Sequence, residues 1–161
     1  MNVLAFAEER AGRIKKSSLE AVRAGRRLAD ALGGNFAALI AGAGVTAIAP
    51  ALGRYGAGRV FVVDDPALAQ HSNSATAKII AEVARAERAE IVLLPASQMG
   101  KDLAPRVAIK LGAGLASDCI EIRPEGKDII ATRPVFAGKA LLDVRVTTPV
   151  NTGSGKAWLS N

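Results

Sequence analysis

Apolar positions along this chain follow two rhythms. Residues 3–7, 36–40, 59–63 and 91–94 are short, nearly continuous apolar runs, the pattern of strands buried on both faces. Between them the spacing turns helical. Leu19, Val22, Ala29 and Leu32 share one face of a predicted helix, and Gly33-Gly34 stops it. Ser17-Ser18-Leu19-Glu20 reads as a capping box that starts that helix. Residues 41–44 read as a turn and 45–52 as a short helix. Ile79, Ile80 and Val83 mark a helix over 75–88. Leu103, Val107 and Leu111 mark another, beginning near Gly100 and ended by Gly112 and Gly114. Pro105 is expected in or near its first turn, where a missing N–H does little harm.

From residue 116 the rhythm changes to alternation, over 116–122 and 142–146, with an extended stretch at 128–132. Residues 123–127 carry a strong turn signal between two of these strands. Strand–helix units followed by a strand-rich end predict a three-layer α/β fold, with a mostly parallel sheet and helices on both faces.

Composition agrees with one folded domain. Half of the 161 residues are apolar, and aromatics are only 4%, so Ala, Val, Leu and Ile must build the core. The net charge of +6 raises the question of a polyanionic partner. The basic residues near the N-terminus are interleaved with Glu8, Glu9, Glu20 and Asp30, and stacking aromatics are scarce. The expectation is no nucleic-acid role, and either a solvated helix face or a surface for an acidic protein. The single cysteine, Cys119, permits no internal disulfide, which fits a reducing compartment. No targeting peptide is read at the N-terminus, and no apolar stretch approaches the roughly 20 residues that span a bilayer.

No catalytic or metal constellation is expected. His71, the only histidine, sits in a polar loop without companions of ligand type. Asp64 and Asp65 are adjacent at a strand end, but neighbouring side chains on a strand point to opposite faces, which argues against a shared Mg²⁺. In open α/β sheets the ligand crevice lies beyond the carboxyl ends of the strands, so loops 8–16, 41–44 and 96–101 are the places to look for phosphate. None carries a glycine fingerprint. Gly42-Ala43-Gly44 is followed by Ala47, and Gly100-Lys101 has Pro95 upstream and Asp102 after it. Gly153-Ser154-Gly155-Lys156 resembles a phosphate loop only superficially, with Val150 upstream, Ala157 after it and no room for a following helix.

Two longer stretches are more specific. They are residues 95–122, PASQMGKDLAPRVAIKLGAGLASDCIEI, and residues 133–144, RPVFAGKALLDV. With Leu4-Ala5-Phe6-Ala7-Glu8 they resemble the alpha subunit of electron transfer flavoprotein. The likeness rests on Gly100-Lys101, Pro105-Arg106-Val107-Ala108, Ser117-Asp118, and Arg133-Pro134 followed by Phe136-Ala137-Gly138. That family usually has Tyr where Phe136 stands and Asn where Lys139 stands. The resemblance implies an N-terminal domain similar to adenine-nucleotide hydrolases, or Rossmann-like, over residues 1–149. Residues 150–161 would then be a flexible tail or linker stub.

It also implies an FAD-containing heterodimer with a beta subunit that carries AMP. Such a protein passes electrons from flavin dehydrogenases, as in fatty acid beta-oxidation, to a quinone reductase or another acceptor. It works in a bacterial-type cytoplasm or a mitochondrial matrix. The glycine- and serine-rich FAD motifs of the family's second domain have no counterpart here, so no catalytic, cofactor-binding or metal residue is assigned to this chain. Asp102 is expected to complement a helix dipole, and Arg106 to pair with Asp118 or cap a neighbouring loop. Arg133, Pro134, Phe136 and Gly138 are the expected subunit or domain interface. The rival is a stand-alone nucleotide-binding module of the same fold, resembling universal stress proteins. It should show a Gly-rich ATP loop late in the chain, or a Ser-Gly-Gly-x-Asp-Ser loop after the first strand, where this chain has Ala7-Glu8-Glu9-Arg10.

Overall fold

A computed structural model describes residues 1–126 and 128–147, together with the backbone of Lys156–Ser160. The chain begins with β1 (Asn2–Ala7), a small hairpin of β2 (Glu9–Arg10) and β3 (Arg13–Ile14), α1 (Lys16–Ala31) and β4 (Asn35–Gly42). A 3-10 helix (Ala49–Tyr55), β5 (Val60–Asp64), a second 3-10 helix (Pro66–Gln70), α2 (Asn73–Ala86), β6 (Ile91–Pro95) and α3 (Gln98–Leu111) follow. β7 (Leu115–Cys119), β8 (Glu121–Glu125), β9 (Asp128–Val135), β10 (Ala140–Arg145) and β11 (Lys156–Ser160) complete it.

The main sheet has six strands in the order β5-β4-β1-β6-β11-β7, and every pairing in it is parallel. Strands β1, β4 and β6 are apolar on both faces because both faces are covered, whereas β5, expected to be buried on both faces, is an edge strand with Val62 39% exposed. Val3, Ala5, Ala38, Ile40, Ile91 and Leu93 point into one core, under α1. Leu4, Phe6, Leu39, Val92 and Leu94 alternate with them and point into the other, under α2 and α3. Gly25 lets α1 sit close to the sheet, since a Cβ there would come within 2.4 Å of the Phe36 ring.

The strand-rich end forms a separate antiparallel sheet, β10-β9-β8. Ile129 and Ala131 from β9 close the α1-side core. The alternating run at 116–122 is two strands, broken at Ile120 between β7 and β8, with Asp118 left-handed (φ 55°). The α/β class, the parallel sheet and the helices on both faces agree with the sequence reading.

Four local expectations need correction. α1 starts at Lys16, its N-cap Lys15 makes no side-chain cap, and Ser18 accepts the Glu8 N–H instead at 2.8 Å. The capping box, which needs Ser17 at the N-cap, does not form because the helix starts at Lys16 and Ser17 already lies in its first turn. α3 starts at Gln98, so Pro105 lies inside the helix rather than in its first turn. For the same reason Asp102 falls past the first turn; its carboxylate accepts from Asn73 at 2.7 Å and from Arg106 at 3.1 Å. Arg106 therefore pairs with Asp102, and it is Lys101 that meets Asp118, at 2.9 Å.

The expected tail also divides. Residues 148–155 and Asn161, including the boundary near 149, lie outside the described residues. Residues 156–160 are the strand that joins β6 to β7.

Candidate functional site

The chain runs outward from β1 through β4 to β5, then crosses back over β1 to form β6. The crevice between β1 and β6, beyond their carboxyl ends, is therefore the switch point where such sheets bind ligands. Two of the loops singled out above flank it, and they are tied together by one side chain.

Glu8 leaves β1 only 2% exposed. Its Oε1 lies 2.7 Å from the Lys15 Nζ. Its Oε2 accepts from the Ser97 hydroxyl, which in turn accepts the Gly100 N–H at 3.0 Å and so caps α3. The Glu8 backbone is held as well, its N–H by Ser18 and its carbonyl by the Lys15 N–H at 3.0 Å. A buried carboxylate needs a counter-charge and hydrogen-bond donors, and these supply them. Gly100 makes the tight start of α3 possible. A Cβ there would stand 1.7 Å from the Pro95 carbonyl oxygen.

The loop after β4 is closed in the same manner. The Asp64 carboxylate accepts the Gly44 N–H at 2.7 Å, the Thr46 N–H at 2.9 Å and the Thr46 hydroxyl at 2.6 Å. The Thr46 hydroxyl bond, and then the two backbone bonds, hold its pKa below the usual carboxylate range. Asp65 turns away and accepts the Ala67 N–H at 2.8 Å, starting the second 3-10 helix. The two aspartates thus serve separate structures, as alternation on a strand requires.

This edge does not fit a pyrophosphate. The Lys15 ammonium and the Ser97 hydroxyl are engaged by Glu8, the Gly44 and Thr46 N–H groups and the Thr46 hydroxyl by Asp64, and both carboxylates would repel a phosphate. His71 lies on the rim of a cleft of about 160 Å³ with Glu9, Arg10, Asn73 and Met99, exposed and left-handed (φ 49°). Among the described residues no three His, Cys, Asp or Glu side chains gather as a metal site. Cys119 is buried in the core, where desolvation pushes its thiol up to about 11.

The four expected interface residues sit at the far end of the β9–β10 hairpin. Val135 pairs with Ala140, and the Gly138 N–H bonds the Val135 carbonyl at 3.1 Å across the turn. Phe136, Ala137 and Gly138 are all left-handed, with φ of 52°, 54° and 83°. Phe136 is 80% exposed at the tip. Arg133 and Pro134 point to opposite faces of the small sheet. Pro134 pairs with Leu141, and Arg133 pairs with Leu142 on the face that carries Ile129 and Ala131.

The Arg133 Nε is buried without a hydrogen-bond partner among the described residues. Pro134 is tolerated in a central strand because β8 pairs no further than Thr132, so no ladder bond is lost on that side. Leu141 and Leu142, both exposed, extend the apolar end that Phe136 begins. Sequence reasoning did not name them, although two leucines in an alternating strand of a small sheet were the signal. Nor did it single out Glu8, whose burial depends on Ser97, distant in sequence.

Comparison with known proteins gives this geometry a family. The electron transfer flavoprotein domain matches residues 3–151. The protein FixB of Clostridium saccharobutylicum is 39% identical over 144 residues, which cover 88% of this chain and 43% of that protein. The electron transfer flavoprotein subunit alpha of Clostridium acetobutylicum is 35% identical over 144 residues, with the same coverage. The acryloyl-CoA reductase electron transfer subunit beta of Anaerotignum propionicum is 36% identical over 121 residues, 75% of this chain and 33% of that one. The chain thus spans less than half the length of the curated relatives it matches. Among the described residues no helix is long and apolar enough to cross a membrane.

Proposed function

The chain belongs to the electron transfer flavoprotein family, as a homologue of its alpha subunits, and from that membership we propose that it is the scaffold domain of an electron carrier. It pairs with a beta subunit and supports a flavin domain supplied outside these 161 residues. The complete protein takes electrons from flavin dehydrogenases and delivers them to a quinone reductase or another acceptor. The bound FAD supplies the redox chemistry. The residues of this chain supply rigidity and a docking surface, and AMP belongs to the beta subunit. Electron transfer needs no proton-moving side chain here, which accords with a carboxyl edge made of structural carboxylates.

The observation that carries the reading is the β9–β10 hairpin. A tip with Phe136 exposed and two non-glycine residues left-handed is costly for an isolated chain, at about 1–2 kcal/mol per residue. Partner contacts would offset that cost, because aromatic anchors and arginines dominate interface energies. Arg133 adds a buried N–H that still lacks an acceptor. The beta subunit is therefore taken to cover Arg133, Pro134, Phe136 and Gly138. The rival reading, a stand-alone nucleotide-binding module, finds the Gly44 and Thr46 N–H groups and the Lys15 and Ser97 side chains already engaged by Asp64 and Glu8.

Changing Arg133 to Ala and titrating with the beta subunit tests the assignment. The expected loss of affinity is roughly tenfold or more. Unchanged affinity would remove Arg133 from the interface, and a flavin absorption band retained by this chain alone would overturn the scaffold role.

A further inference from the structure

The mismatch between the carboxyl edge and a phosphate ligand is specific in its form. A crevice of this topology receives anions because two loops and a helix N-terminus converge there with unsatisfied N–H groups. In this chain the crevice holds a positive charge on Lys15 and a hydroxyl donor on Ser97, both of which converge on one carboxylate from the chain itself, while the same Ser97 hydroxyl accepts the Gly100 N–H at the start of α3. The second loop repeats the device independently. Gly44 and Thr46 present two N–H groups and a hydroxyl, and the Asp64 carboxylate accepts all three.

We propose that the Glu8 carboxylate is a tethered anion, seated where a ligand phosphate would sit at the switch point, and that it closes the crevice to nucleotides while locking the β1 and β6 loops together. Asp64 plays the same part in the neighbouring loop. A covalently tethered anion has a high effective concentration and loses little freedom on binding, so a free phosphate competes poorly with it. The inference concerns this crevice alone and stands whether or not the chain serves as a flavoprotein scaffold. It predicts that cutting the tether uncovers a site for small oxyanions.

The experiment uses the full chain with Glu8→Ala, with formate and inorganic phosphate as probes against chloride at matched ionic strength. In chloride the variant is expected to melt roughly 5–10 °C below the wild type, since Lys15 and Ser97 lose their acceptor. Formate and phosphate should return most of that loss with saturable, millimolar dependence, beyond the general salt effect measured on the wild type. The double variant Glu8→Ala/Lys15→Met should lose the rescue. Glu8→Gln, which keeps the volume filled, should show none. If Glu8→Ala is unfolded in chloride, its refolding in formate becomes the readout. Parallel salt responses of variant and wild type overturn the proposal. So does failure of either anion to refold an unfolded variant, or saturable phosphate binding at the Gly100 amide of the wild type.

Discussion

The hairpin tip offers a perturbation in which stability and binding should move in opposite directions. Phe136 and Ala137 are the central residues of the 135–138 turn, and both are left-handed. Asn-Gly is the pair that such a turn favours. Phe136→Asn and Ala137→Gly together would relieve about 1–2 kcal/mol at each position. Against this, glycine adds about 0.4–1 kcal/mol of unfolded-state entropy. Phe136 is 80% exposed, so its truncation gives up little burial, about 1 kcal/mol as an upper bound from area. The balance is a gain centred on about 2 kcal/mol for the free chain (about 0–3.5 kcal/mol at the limits of these terms), or roughly 4–8 °C in Tm at the centre.

Binding should respond the other way. An exposed aromatic that anchors a partner is worth at least about 2 kcal/mol at an interface, which is about thirtyfold in Kd. Thermal unfolding of the free chain and titration with the beta subunit measure the two effects separately. Ala137→Gly alone should stabilise the chain and leave affinity unchanged, which isolates the phenylalanine. A double variant that melts lower than the wild type would refute the strain argument. One that binds as tightly as the wild type would refute the anchor.

Three further substitutions test the carboxyl edge and the core packing. Gly100→Ala should cost about 1–3 kcal/mol, because overpacking against the Pro95 carbonyl and disturbance of the Ser97 cap outweigh a helix-propensity gain of about 1 kcal/mol. Gly25→Ala should cost less in the same urea titration, since the Phe36 ring it meets is a side chain rather than backbone; equal costs would count against the geometry. Asp64 has a folded pKa below its reference value of 3.8, so its stabilising contribution is complete above that value and is lost as pH falls through the folded one. Asp64→Asn should therefore flatten the acid limb of the stability–pH curve and leave its shape near neutrality unchanged; an unaltered acid limb would show that the loop does not hold the ionised form.

What could be read from the residues in advance divides by how local the cause is. The runs 3–7, 36–40 and 91–94 announced themselves because burial on both faces forbids polar residues at either parity, a constraint written into each strand separately. Arg133, Pro134, Phe136 and Gly138, the stretch proposed as an interface, are close together in sequence, though which face each one takes depends on pairing with Leu141 and Leu142. Strand β11 was not legible. Residues 156–160 are a short segment whose seat between β6 and β7 is decided by partners more than 30 positions away. Glu8 and Ser18 are the most instructive pair. Each has an obvious local role, one as a loop charge and one as a polar residue in the first turn of a helix, and both are drawn into the same buried cluster. A glutamate after a buried strand is identical on paper whether it points to water or fills an anion seat. The deciding donor, Ser97, arrives 89 residues later, and with it the crevice passes from a place for ligands to a joint within the protein.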